Sequence, residues 1–233
     1  MNKEQLIEQF GAYKIPFDTQ RVDLLMDFMN KTLETNQKFN LTAIENEDEF
    51  IEKMIFDSAL VFSGHSLSNK SCIDIGTGAG YPGMVLKILD PSIQMTLLDS
   101  TKKKIDYLKQ FADEKGIVIN TFAGRAEDYA RLNIEKFDYA TARAVAGLPV
   151  LLELITPLLK VGGELIALKG AGFEKELQLS RSALKKLDME IIKVKEFELP
   201  YSKEQRAIIH IRKNKKTAKK YPRDYSEIKR QPL

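Results

Sequence analysis

The pattern of hydrophobic and polar positions changes its period partway along the chain. Up to about residue 70 it is helical. Val22, Leu25, Met26, Met29 and Leu33 fall on one face of a helix that Asp18 can cap. A short turn, Phe39-Asn40-Leu41-Thr42-Ala43-Ile44, leads into a second helical stretch through Met54, Ile55 and Leu60. Ser63-Gly64 and Ser66-Leu67-Ser68-Asn69 then break the pattern, which puts the end of a helical extension at residue 69.

From Ser71 onward, short apolar runs alternate with amphipathic stretches. Strands are predicted at 71–75, 94–99, 116–121, 137–142 and 163–168, with helices at 82–89, 101–114 and 148–159 between them. In the helix after Asp99, the buried stripe is Ile105, Leu108 and Ala112. Such alternation implies a parallel sheet covered on both faces. Segments 189–199 and 205–212 are separated by a short loop and predict an antiparallel pair. The expected fold is therefore α/β and Rossmann-like: a mostly parallel seven-stranded sheet with an antiparallel terminal hairpin and an N-terminal helical extension. The Rossmann-like domain is expected to span 70–213. The remainder, 214–233, is poor in apolar residues and is expected to be a loosely ordered tail.

Composition narrows the picture only slightly. A hydrophobic content of 43% allows a full core. One cysteine, Cys72, rules out an internal disulfide, and two histidines far apart in sequence, His65 and His210, argue against a structural zinc site. The polar opening residues and the lack of a long apolar run predict a cytoplasmic protein with no membrane span. The formal charge is only +3, but Arg212 to Arg230 holds nine Lys or Arg against Asp224 and Glu227. A cluster of that kind either binds phosphates or solubilises a tail.

The candidate chemistry lies at the strand ends. Cys72-Ile73-Asp74-Ile75-Gly76-Thr77-Gly78-Ala79-Gly80-Tyr81-Pro82-Gly83 ends one strand and opens a helix. Glycines at such a corner let backbone N–H groups approach a ligand, and Pro82 suits a helix start. Gly78-x-Gly80-x-x-Gly83 formally matches the dinucleotide fingerprint. However, Asp74 followed by Gly76, Gly78 and Gly80 resembles the first motif of Rossmann-like methyltransferases, where the acid sits near the amino-acid end of S-adenosylmethionine. Asp99, closing the second strand, can accept both ribose hydroxyls or serve as a helix cap. Ala126 and Glu127, after the third strand, fit the position that meets the adenine. Three sites at successive strand ends, with the terminal hairpin, favour a methyltransferase over a dehydrogenase.

The acceptor is less clearly marked. After the fourth strand the chain reads Thr141-Ala142-Arg143-Ala144-Val145, not the (Asn/Asp)-Pro-Pro-aromatic tetrad of exocyclic-amine methyltransferases. Cys72 lies within a predicted buried strand and so cannot be a pyrimidine-C5 nucleophile. Guanine N7 carries a free lone pair, so its methylation needs in-line placement and no general base. Arg143 could line the cofactor pocket or orient the acceptor base.

Asp74-Ile75-Gly76-Thr77-Gly78-x-Gly80-x-Pro82-Gly83, Gly124-Arg125-Ala126-Glu127, Arg143-Ala144 and Ala167-Leu168-Lys169-Gly170 occur in this order, with Asn40-Leu41-Thr42-Ala43-Ile44 upstream and Tyr221-Pro222-Arg223 at the tail. Together they resemble the glucose-inhibited division protein B family, bacterial small-subunit rRNA guanine-N7 methyltransferases. The resemblance covers nearly the whole chain. It implies that Gly76, Tyr81, Ala126, Glu127 and Arg143 contact S-adenosylmethionine, with Asp99 near its ribose; Asp74 and Gly78 complete the candidate cofactor set. Tyr81 departs from the aliphatic residue or Phe expected there. The partner implied is 16S rRNA or the small ribosomal subunit, with Lys102, Lys103, Lys104, Lys169 and Arg223 as candidate RNA contacts, no metal, and a monomeric state. A methyltransferase for another substrate and a non-catalytic RNA-binding module remain the competing readings.

Overall fold

A computed structural model describes residues 1–233. The N-terminal extension holds α1 (Lys3–Ala12), α2 (Thr19–Asn36), α3 (Glu47–Phe50) and α4 (Asp57–Ala59), with a π-helical turn at Ile51–Phe56 and a 3₁₀ turn at Leu60–Phe62. Asp18 caps α2 as expected, its carboxylate accepting the Arg21 N–H at 2.8 Å. The strands are β1 (Ser71–Ile75), β2 (Gln94–Asp99), β3 (Asn120–Ala123), β4 (Phe137–Arg143), β5 (Leu159–Gly170), β6 (Met189–Glu198) and β7 (Gln205–Lys213). Between and after them lie α5 (Gly83–Leu89), α6 (Lys102–Lys115), α7 (Ala126–Leu132), α8 (Leu148–Ile155), α9 (Phe173–Leu179), α10 (Arg181–Lys186) and α11 (Tyr225–Arg230).

The seven strands form one sheet in the order β3-β2-β1-β4-β5-β7-β6. All pairings from β3 to β5 are parallel, and β7 pairs antiparallel with both β5 and β6. The order reverses beside β1, so the tips of β1, β2, β3 and β4 open onto one crevice, where α/β sheets place their ligands. β1 is buried on both faces from Cys72 to Ile75, which is why it reads as a continuous apolar run broken only by Asp74.

One apolar layer joins Phe10, Phe28, Phe50 and Phe56 of the extension to Met84 and Leu86 of α5 and Leu108 of α6. The other packs α8 and α10 against β4, β5 and β7. The break at residues 63–69 therefore separates two stretches of chain that share a core.

Three expectations need correcting. Strand three starts at Asn120, not at 116, because Gly116 adopts φ +67° and closes α6 as a left-handed cap. Helix α8 stops at Ile155 and a 3₁₀ turn, Thr156–Leu158, carries the chain into β5. The segment 214–233 is not loose: Pro222 and Ile228 are buried and α11 packs on α8.

The two histidines also meet, with ring centroids 4.9 Å apart. Glu164 stands 3.5 Å from His210 Nδ1 and completes a potential ligand set with them. Arg212 takes the other oxygen of Glu164 at 3.2 Å; burial lowers the basicity of His65, Glu164 opposes that shift, and Lys193 and Lys195 add to it. No helix of the chain is long and apolar enough to cross a membrane.

Candidate active site

The turn after β1 needs its glycines. Gly76, Gly78 and Gly80 adopt φ values of +64°, +57° and +98°, a region costly for residues with a Cβ. At Gly80 a Cβ would also stand 2.6 Å from Leu108 and 2.8 Å from Phe28. Beneath the turn, Asp74 accepts the Gly83 N–H at 2.9 Å and the Thr141 hydroxyl at 2.8 Å. Burial pushes its carboxyl up to about 6, against these hydrogen bonds. Asp74 does not line the cleft, which corrects the expectation that it meets the cofactor. It fixes the start of α5 and ties β1 to β4 (a positioning role).

Asp99 joins two elements at the rim. Its carboxylate accepts the Gly78 N–H at 3.0 Å through one oxygen and the Thr101 N–H at 2.8 Å through the other. Asp99 is not itself the cap of α6, which is Thr101, but it holds that residue's N–H, and each of its oxygens keeps a further lone pair. Ala126 and Glu127 form the first turn of α7, and Glu127 is buried with Arg125 Nε 3.2 Å from its carboxylate. Gly76, Gly78, Tyr81, Asp99, Ala126, Glu127 and Arg143 all line one cleft of about 500 Å³. That size suits a small-molecule cofactor.

Tyr81 is buried, stacked on Phe28 at 5.0 Å and edge-on to Phe50 at 5.3 Å. Its hydroxyl lies 3.3 Å from Thr32 Oγ1, which also bonds the Tyr107 hydroxyl at 2.7 Å. The extension thus supplies the polar partner that a tyrosine needs where an aliphatic residue or Phe was expected.

Arg143, at the end of β4, donates to the Lys53 carbonyl at 2.8 Å, lies 3.6 Å from Asp57 and faces the Tyr81 ring at 5.9 Å. It separates the first cleft from a second, of about 790 Å³, which also holds Lys53, Asp57, Lys169, Glu176, Glu204 and Arg206. Asp57 is almost fully buried; burial raises its carboxyl while Arg143 and Arg206 oppose the shift. Sequence reasoning missed Lys53, Asp57 and Arg206. The first two belong to the irregular end of the extension, Lys53 within its π-helical turn, and the third to β7; no local pattern in the sequence marks them.

The candidate RNA contacts divide. Lys102 and Lys103 are exposed, Lys102 with Asp106 at 2.6 Å, and Lys104 lines the first cleft. Lys169 lies on the second cleft but bonds Glu176 at 2.7 Å and the Ala146 carbonyl at 3.1 Å. Arg223 is turned inward onto the fully buried Glu153, 2.7 Å from one carboxylate oxygen and 2.8 Å from the other. Its guanidinium is thereby unavailable to a phosphate, which corrects its assignment to RNA. In the Asn40-Leu41-Thr42 turn, Asn36 accepts the N–H groups of Leu41 and Thr42, and Leu41 reaches the first cleft.

Residues 21–209 match the family described as rRNA small subunit methyltransferase G. The chain belongs to this family. Ribosomal RNA small subunit methyltransferase G of Caldicellulosiruptor bescii is 42% identical over 99% of this chain and 100% of its own length. The protein of the same name from Thermoanaerobacter sp. is 43% identical over 99% of this chain and 98% of its own. Among solved structures, a SAM dependent methyltransferase from Aquifex aeolicus superimposes with a TM-score of 0.54 at 15% identity, covering 77% of this chain and 97% of that one. The fold is that of S-adenosylmethionine-dependent methyltransferases.

Proposed function

We propose that this chain transfers the methyl group of S-adenosylmethionine to N7 of a guanine in small-subunit rRNA, acting in the cytoplasm as a monomer. The observation that carries the reading is the pair of clefts sharing Met54, Arg143, Ala144 and Val145 as a common wall. The first has what the methyl donor requires. Asp99 would offer a carboxylate edge to two ribose hydroxyls, Ala126 and Glu127 would meet the adenine, and Gly76, Gly78 and Tyr81 would border the amino-acid end.

When bound, S-adenosylmethionine supplies an electrophilic methyl on a sulfonium centre. The protein's task is then placement. Guanine N7 attacks through its own lone pair, so no side chain has to remove a proton first, and the acceptor must stand in line at roughly 3–3.5 Å. Arg143 sits where the two clefts join and is held by the Lys53 carbonyl and Asp57. It can donate to guanine O6, which orients the base while leaving the N7 lone pair free to attack the methyl. Lys53, Lys169 and Arg206 in the acceptor cleft are paired with Glu204, Glu176 and Asp57, which hold them in place, and Arg143 leaves the cleft one cation in excess of its carboxylates. Lys102, Lys103 and Lys104 extend the basic rim beside Asp99 toward the phosphates of neighbouring nucleotides.

Labelled methyl transfer to small subunits and to naked rRNA, followed by mapping of 7-methylguanine, tests the proposal. Transfer to a guanine whose N7 is replaced by carbon should be absent. Each lysine engaged on a phosphate should add about 0.7–0.9 to the slope of log affinity against log salt. Methylation at any other atom, or a slope near zero, would overturn the reading.

A further inference from the structure

The C-terminal segment closes on the cofactor cleft from outside the sheet. Arg223 anchors it: its backbone N–H and Nε donate to one oxygen of Glu153 at 3.0 and 2.8 Å, and Nη2 to the other at 2.7 Å. The same guanidinium reaches Glu227 at 3.1 Å and the Gln231 carbonyl at 3.1 Å, so the segment is bound to itself as well as to α8. Ile228 is fully buried, and Asp224 meets Arg131 of α7 at 2.6 Å. These contacts bring Tyr225 to the wall of the cleft that also holds Asp99 and Glu127. The Arg125 guanidinium lies over the Tyr225 ring, 4.2 Å from its centroid, and points its Nε at Glu127.

A flat aromatic ring backed by a guanidinium, beside a buried carboxylate, is a surface for a purine. From this arrangement we infer that Tyr225 is the outer wall of the adenine subsite, and that docking of the C-terminal segment is coupled to cofactor occupancy. This rests on the reading that the cleft holds S-adenosylmethionine with its adenine toward Ala126 and Glu127. The coupling follows from linkage: if the cofactor touches Tyr225 only when the segment is docked, binding favours docking and docking favours binding by the same factor. The connection from β7 to Tyr225 gives a direct readout, because Lys215, Lys216, Lys219 and Lys220 are exposed there.

The test uses the full chain and two measurements, calorimetric Kd for S-adenosylmethionine and the rate of trypsin cleavage in 215–220. Tyr225→Ala should raise Kd roughly tenfold or more, the size of one base–aromatic stack, while Tyr225→Phe stays close to the parent protein. Saturating S-adenosylmethionine should slow the cleavage several-fold in the parent and not in Tyr225→Ala. Ile228→Ala loosens docking without touching the cleft; it should speed cleavage and weaken the cofactor together. The inference is overturned if Tyr225→Ala and Ile228→Ala keep the parent affinity while circular dichroism shows an intact fold, or if the cofactor leaves cleavage unchanged. A parent protein that binds no S-adenosylmethionine would instead defeat the cofactor reading on which this one depends.

Discussion

Replacing Asp99 by Asn probes the cleft with a nearly isosteric change. In the parent, one carboxylate oxygen accepts the Gly78 N–H at 3.0 Å and the other the Thr101 N–H at 2.8 Å, and each retains a further lone pair. The amide of Asn has a single acceptor oxygen. If that oxygen keeps Thr101, the amide NH₂ faces the Gly78 N–H, donor against donor, and one ribose hydroxyl loses its acceptor as well. A hydrogen bond to a charged group contributes about 1.5–3 kcal/mol, so the lost ribose contact alone should weaken S-adenosylmethionine by roughly 10- to 150-fold. The Gly78 N–H borders the open cleft and can turn to water, so the cost to folding should stay below about 1 kcal/mol. Calorimetry on the parent and Asp99→Asn, with S-adenosylmethionine and an analogue lacking one ribose hydroxyl, separates the two effects. The parent should lose affinity for the analogue, and Asp99→Asn should lose little more, because the shared contact is already gone. Equal affinity of the two proteins for S-adenosylmethionine, or fully additive losses, would refute the bidentate ribose contact.

Gly83→Ala should cost about 1–3 kcal/mol in urea unfolding, because the new Cβ meets Leu97 and stands 2.8 Å from Asp74 Oδ2, with nowhere to relax; a neutral result would mean α5 shifts freely on β1. Acidification should destabilise the protein through His210, which burial depresses to about 4, with neighbouring His65 lowering it further and Glu164 opposing. Unfolded histidine takes its proton near 6.5, so the unfolded state binds more protons below that pH and stability falls until the folded group protonates near 4. The loss from His210 is at most about 3 kcal/mol. Asp74, raised to about 6, works in the opposite sense, since the folded state takes its proton first. The difference between the parent and His210→Asn in urea midpoints at pH 7 and pH 5 isolates the histidine effect; parallel curves would count against it.

The sequence determined by itself whatever depends on neighbours a few residues apart. Strand–helix alternation, the glycine turn, the Asp18 cap and the acids at the tips of β2 and β3 are local. Asp74 illustrates the limit of that reading. Its position beside the glycines was legible, but whether its carboxylate faced the cleft or the inside depended on Thr141 of β4 and the N–H of Gly83, which only the pairing of β1 with β4 brings under it.

The tertiary structure decided what depends on long-range charge and contact. Arg223 looked like a free cation in a basic tail until Glu153, 70 residues earlier, proved to be buried beneath it. An uncompensated buried carboxylate is costly, so that pairing draws the tail onto α8 and carries Tyr225 to the cleft. The second cleft was equally hidden, because Lys53, Arg143 and Arg206 come from the extension, β4 and β7 and meet only when β7 inserts antiparallel beside β5. Periodicity records which face of an element is buried; it carries no record of which distant charge will lie against it.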